Sequence, residues 1–179
     1  MDRESVSDNV SILDIMCKEK YSDANNHKKA RDDFSAQSKM WIIRRNNYSM
    51  MARENVAKAT EAKKERDLFN QKVRDSKEKR DECHRKAAEL REAGEEGYHE
   101  LREEGNRYHE EVAENSAKGQ AEHEKMMKFY EEADVARKLS DAAQKKSMDC
   151  RIAADAEHKA YIEKLKEVDD LKNNLPEEL

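Results

Sequence analysis

Three pairs in this sequence have the spacing of metal ligands on a helix: Asp81 with His84, Glu96 with His99, and Asp155 with His158. Residues at i and i+3 share one helical face, so a carboxylate and an imidazole at that spacing could hold one ion, as in di-metal carboxylate bundles. Such sites also need four helices around an apolar core. With 41 acidic residues and six histidines, chance pairs of this kind are expected, and no metal site is assigned. The cysteines, Cys17, Cys83 and Cys150, are scattered, odd in number and without a CxxC pair. They read as reduced thiols of a cytoplasmic protein. No glycine-rich phosphate loop or nucleophile elbow is present. No cofactor is expected, and the chain reads as non-enzymatic.

A second constellation points to binding. Lys28, Lys29, Arg31, Lys39, Arg44 and Arg45 flank Met40-Trp41-Ile42-Ile43, the strongest apolar cluster in the chain. Basic side chains beside an aromatic could grip RNA or a protein groove. The competing role for Trp41, Ile42 and Ile43 is a local core where helices meet. Charge is segregated around this cluster. Residues 18–88 carry 20 Lys/Arg against 12 Asp/Glu, whereas residues 89–134 carry 6 against 15. A basic stretch of this kind can contact phosphates electrostatically.

The elements that must position these residues are helices. Charged residues make up 43% of the 179 residues, with one proline and four glycines. Leu, Ile, Val and Phe together number 25, about 14%, well below the roughly 20% that an ordinary core needs. Net charge is only −5, so the composition is that of long helices and not of a disordered chain. No apolar run is long enough to span a membrane, and the acidic N-terminus does not resemble a signal peptide.

From Trp41 a seam runs in steps of four and three: Arg45, Tyr48, Ala52, Asn55, Ala59, Ala62, Arg66, Phe69, Val73, Ser76, Arg80, Cys83, Ala87 and Leu90. After Leu90 the repeat of ELRE at 89–92 and 100–103 suggests an eleven-residue period through Gly94, Gly97, Leu101, Gly105, Tyr108, Val112, Ser116, Gly119 and His123. All four glycines fall on this line, as small residues do where helices pack closely. Heptads return in Phe129, Ala133, Ala136, Ser140, Ala143, Ser147, Cys150 and Ala154, and Tyr161, Leu165, Val168 and Leu171 continue that face.

The expected fold is therefore all-α: an elongated long-helix coiled coil, folded as an antiparallel helical hairpin with a short N-terminal helical extension. Its segments would be an amphipathic stretch at 1–26 ending at Ser22–Asn26, a basic arm at 27–114, a turn at 115–120, a second helix at 121–173 and a tail at 174–179. A turn in ENSAKGQ (114–120) would set Cys83 against Cys150 and Gly105 against Phe129. A parallel homodimer of unbroken helices fits the seam as well.

The units RDLFNQKV and RDECHRKA, with the later ADVARKLSDAA and ADAEHKAYIEKLKEV, resemble a family of uncharacterised archaeal coiled-coil proteins. That family is similar in style to a fungal nuclear-segregation coiled-coil protein associated with polysomes. The resemblance covers about residues 50–172 and implies a cytoplasmic protein that associates with ribosomes or RNA. It carries over no functional residue. The expected partners are the ribosome or RNA through the basic arm, and proteins through the coiled-coil seam; the alternative is a structural scaffold or spacer without nucleic acid.

Overall fold

A computed structural model describes residues 3–173, with side-chain packing described from residue 11 onward. It contains two α-helices, α1 (Arg3–Ala93) and α2 (Tyr98–Asn173). They pack antiparallel, so the chain is an all-α helical hairpin. It divides into two compact units. The first joins Met1–Tyr48 to Leu139–Leu179, and the second is the continuous stretch Ser49–Lys138. The last six residues, expected as a tail, lie outside the described residues.

Each helix is stabilised along its own surface before any packing. Among the described residues, seven ion pairs at i,i+3 or i,i+4 spacing decorate the two helices, including Lys18–Asp14, Lys86–Glu82, Lys118–Glu114 and Arg137–Asp134. Pairs of this kind contribute about 0.2–0.5 kcal/mol each. The composition that forbids an oily core thus favours the helices themselves.

What holds the helices together is a seam of small residues. All fifteen positions of the line from Trp41 to Leu90 are buried or half-buried. The same four-three stepping continues backward through Ser38, Phe34, Arg31, His27, Ala24, Lys20, Cys17 and Leu13. The expected break at Ser22–Asn26 is therefore absent, and α1 runs through it. Ala24, in the middle of that polar cluster, is fully buried, whereas Asn25 and Asn26 face solvent. Their side chains point away from the seam, so their turn-forming tendency is overridden by packing on the opposite face.

On α2 the buried line is heptad throughout, from Leu101 through Gly105, Tyr108, Val112, Asn115 and Gly119 to Leu171. The eleven-residue period is not realised: Ser116 is exposed and Asn115 takes the seam. Ala59, Ala133 and Ala24 are completely inaccessible, and Ala52, Ala62, Ala136, Ala143, Ser38, Ser76 and Ser147 nearly so. Side chains this short let two backbones approach closely, so contact rests on many small van der Waals terms.

The seam arginines do not weaken this contact. Arg31, Arg66 and Arg80 each bond the aspartate that directly follows, at 2.7, 2.6 and 2.7 Å, and Arg45 bonds Asn46 at 2.8 Å. Each lays its stem along the seam and keeps its head at the edge. Arg66 also reaches the sulfur of Met126, within the small cluster of Ala59, Ala62, Met126 and Phe129.

The turn lies at residues 94–97 and not at 115–120, which are interior to α2. Gly94 has φ +70 and Gly97 φ +95, conformations that side chains strain. Gly94 N donates to Arg91 O at 3.2 Å and Glu95 N to Leu90 O at 2.9 Å, the paired bonds of a Schellman cap. Gly97 opens α2 by accepting from Leu101 N at 3.4 Å, and Glu100 places negative charge in the first turn.

The other two glycines answer a different need. A Cβ at Gly105 would stand 2.9–3.1 Å from three ring atoms of His84, and one at Gly119 would stand 3.3 Å from Asn70 Oδ1. Turn and close approach are thus both present, at different glycines.

This turn sets the pairing. In the second unit Lys58 lies over Phe129, Lys79 over Tyr108, and Ser76 donates to Glu111. In the first, Lys20 pairs with Glu167 and Lys146 lies over Trp41. Paired numbers total 187 in every case, against the 233–234 that a turn at 115–120 would give. Cys83 therefore lies near Glu104, and Cys150 near Gln37, so the expected Cys83–Cys150 apposition does not occur. Gly105 faces His84 and not Phe129.

Candidate functional site

In the first unit the residues expected to bind are distributed along α1 and gain neighbours from α2. Lys28 and Lys29 are exposed. They stand thirteen and twelve residues before Trp41, roughly 18–20 Å along the helix. They belong to the same stretch of α1 but not to one compact site. Arg31 is tied into the seam edge: it bonds Asp32, reaches His158 Nδ1 at 3.5 Å and lies 6.0 Å from the Tyr161 ring centroid. One turn earlier, His27 Nδ1 donates to Glu157 at 2.6 Å. Arg31 is thus largely a structural residue.

Trp41 sits on the seam and is half-buried, as is Ile42, whereas Ile43, grouped with them as a local core, is 60% exposed. Trp41 is also the centre of a charged group. The Arg44 guanidinium lies 4.6 Å from its ring centroid and the Lys146 ammonium 4.3 Å. Cations over aromatics recur along the hairpin, at Tyr21, Phe69, Tyr108, Phe129 and Tyr161. Trp41 alone among the described residues carries two, one from each helix.

Arg45 follows Trp41 by one helical turn on the seam line. It reaches across to Gln144 Oε1 at 2.7 Å and bonds Asn46 on its own helix. Both acceptors are neutral amides, so its charge is solvated but not cancelled. Among the described residues no carboxylate forms an ion pair with Lys39, Arg44, Arg45 or Lys146. Residues 34–48 and 139–152 together hold six Lys/Arg and two Asp/Glu, a net of +4 in a chain that is acidic overall. Ile43 and Met40 beside the group, and Met148 on α2, are more than half exposed.

Lys145 and Lys146 escaped the reading of the sequence. The signal was the pair of lysines in QKKS (144–147), but only the observed pairing places it opposite Trp41.

The three carboxylate–histidine pairs are used otherwise. His84 lies over Gly105, His99 stacks against Tyr98 at 4.0 Å between ring centroids, and His158 meets Arg31 and Tyr161. Among the described residues no three His, Cys, Asp or Glu side chains are grouped to hold a metal ion. Burial, then the charges of Glu104 and Glu82, push the Cys83 thiol up, away from the reactive thiolate. At the far end of the first unit, hydrogen bonds from Lys164 and Lys20 lower the Glu167 carboxyl to about 2. The tie between Lys20 of α1 and Glu167 of α2 therefore keeps its charge through any ordinary pH. Among the described residues no helix is long and apolar enough to cross a membrane.

A family of unknown function (DUF7121) matches residues 93–177, which is the turn and α2. No curated protein and no solved structure matches the chain. The matched segment supplies Lys146 to the group but not Trp41, Arg44 or Arg45.

Proposed function

We propose that this is a non-enzymatic helical protein of the cytoplasm that associates with the ribosome or its RNA, with the cationic group around Trp41 as the contact. One observation carries the reading. Arg44 and Lys146, from different helices, converge on one indole, and no carboxylate neutralises either. In a chain with 41 acidic residues, leaving several neighbouring cations unpaired favours an external anion. A role in translation or ribosome dormancy goes with such a contact.

A second reading is a scaffold or spacer without nucleic acid, and the second unit favours it. There the α1 residues 49–93 carry 13 Lys/Arg against 10 Asp/Glu, and the facing α2 residues 98–138 carry 7 against 11. Much of the segregated charge is thus met by the opposite helix, so the basic character of α1 in this unit needs no nucleic acid. In the first unit the basic excess is confined to residues 34–48 and 139–152, since the unit as a whole carries 16 Lys/Arg against 18 Asp/Glu.

Sedimentation with purified ribosomes separates the two. The expected result is that the protein pellets at low salt, is released as salt rises, and no longer pellets when Arg44 and Lys146 are both changed to Glu, with helix content unchanged by circular dichroism. Counterion release gives the salt dependence its steepness. A wild-type protein that stays in the supernatant even at low salt would exclude the ribosome and leave the scaffold.

A further inference from the structure

Resting on the RNA reading, we propose that the Trp41 group takes the phosphate backbone of a nucleic acid and not its bases, with Trp41 acting as a positioning residue. Single-strand binders commonly stack bases on exposed aromatics, and a tryptophan among basic residues suggests that role from sequence alone. The geometry here is different. Trp41 is half-buried in the seam, with the Arg44 guanidinium 4.6 Å and the Lys146 ammonium 4.3 Å from its ring centroid. A base could stack only by displacing a cation and by losing the attraction that holds it. What faces solvent is therefore charge. The indole fixes two flexible side chains from two helices no further than 8.9 Å apart.

Arg45, one turn along the seam from Trp41, extends the group. Its guanidinium is held by the oxygens of Gln144 and Asn46, and it keeps its charge and spare donors. Lys39 and Lys145 are exposed on the same stretches of the two helices. Arg44, Arg45 and Lys146 offer donors only, and no acceptor with which to read a base edge. Binding should be indifferent to base identity and to strandedness.

The test uses the full chain and four probes at low salt: oligo-U, oligo-A, a duplex RNA of the same length, and inorganic polyphosphate. Binding is followed by tryptophan fluorescence and by anisotropy of labelled probes. Competition by unlabelled polyphosphate covers the probe that carries no base. The expected result is affinity within about threefold across the three RNAs, displacement by polyphosphate, and no stacking quench of Trp41. Trp41→Ala should weaken binding about fivefold, and Trp41→Phe should restore most of it because a ring remains to hold the cations. Changing both Arg44 and Lys146 to Gln should make the slope of log affinity against log salt shallower by about 1.4–1.8, the value for two released counterions. Strong preference for single strands with quenched Trp41 would overturn the backbone proposal while keeping the RNA reading. No binding to any probe at low salt would overturn both.

Discussion

Ala59→Leu should destabilise the second unit by about 1–3 kcal/mol, the range for forcing extra methylenes into a filled contact. Ala59 is completely inaccessible and packs with Ala62, Met126 and Phe129. In a parallel coiled coil of ordinary spacing, leucine on the seam would be stabilising. Here Ala59 packs against Met126 and Phe129, whose side chains occupy the space that leucine requires. Ala57, two residues away and exposed, is the control. Ala57→Leu should shift stability by no more than about 0.5 kcal/mol. Urea unfolding followed by circular dichroism measures both variants. A stabilised Ala59→Leu protein would mean that the helices do not approach closely at this point.

The second large effect is expected at the turn. Changing both Gly94 and Gly97 to Ala places two side chains at φ +70 and +95. The left-handed region costs a non-glycine residue roughly 1–2 kcal/mol at each position. The loss should therefore be about 2–4 kcal/mol, read as a lowered melting temperature. Gly119→Ala is the informative contrast. It sits inside α2, where alanine gains about 1 kcal/mol of helix propensity. That gain is opposed by pressure on Asn70 and Phe69. Its net effect should be small. A turn at 115–120 would reverse this order, with Gly119→Ala the most damaging of the three.

Those glycines show what the sequence made legible. Seam spacing is a property of residue type at fixed intervals, so the line from Trp41 to Leu90 could be read directly, and every member is buried or half-buried. The all-α class and the hairpin were legible for the same reason. Turn position was not. Asn115, Ser116 and Gly119 have turn composition, yet Asn115 bonds Glu111 O within the helix and Gly119 makes room for Phe69 and Asn70. Small residues serve both a tight turn and a close contact, and only backbone conformation separates the two uses. The error of position shifted every cross-helix pairing, which is why Cys83 was set against Cys150.

The candidate site was half legible. Trp41, Arg44 and Arg45 are contiguous on α1 and could be named, but Lys146 lies 105 residues further along the chain. It joins them only through the observed pairing. Lys28 and Lys29 are close to Trp41 in sequence. On a helix that closeness becomes axial separation. The charge segregation of residues 18–134 was also real, but in the second unit it is met by the facing helix.

Every role assigned to Trp41 requires Lys146 to lie opposite it, and the pairing of α1 with α2 can be measured nearby. Ser38 Oγ and Ser147 Oγ are 3.0 Å apart and both residues are buried. In a chain with Cys17, Cys83 and Cys150 replaced by Ser, changing Ser38 and Ser147 to Cys should give a disulfide within one molecule under mild oxidation. It would appear as a reducible, faster-migrating monomer and a linked peptide pair by mass spectrometry. Linkage only between molecules, or a ready intramolecular Cys83–Cys150 bond in the wild-type chain, would contradict the pairing and remove the site with it.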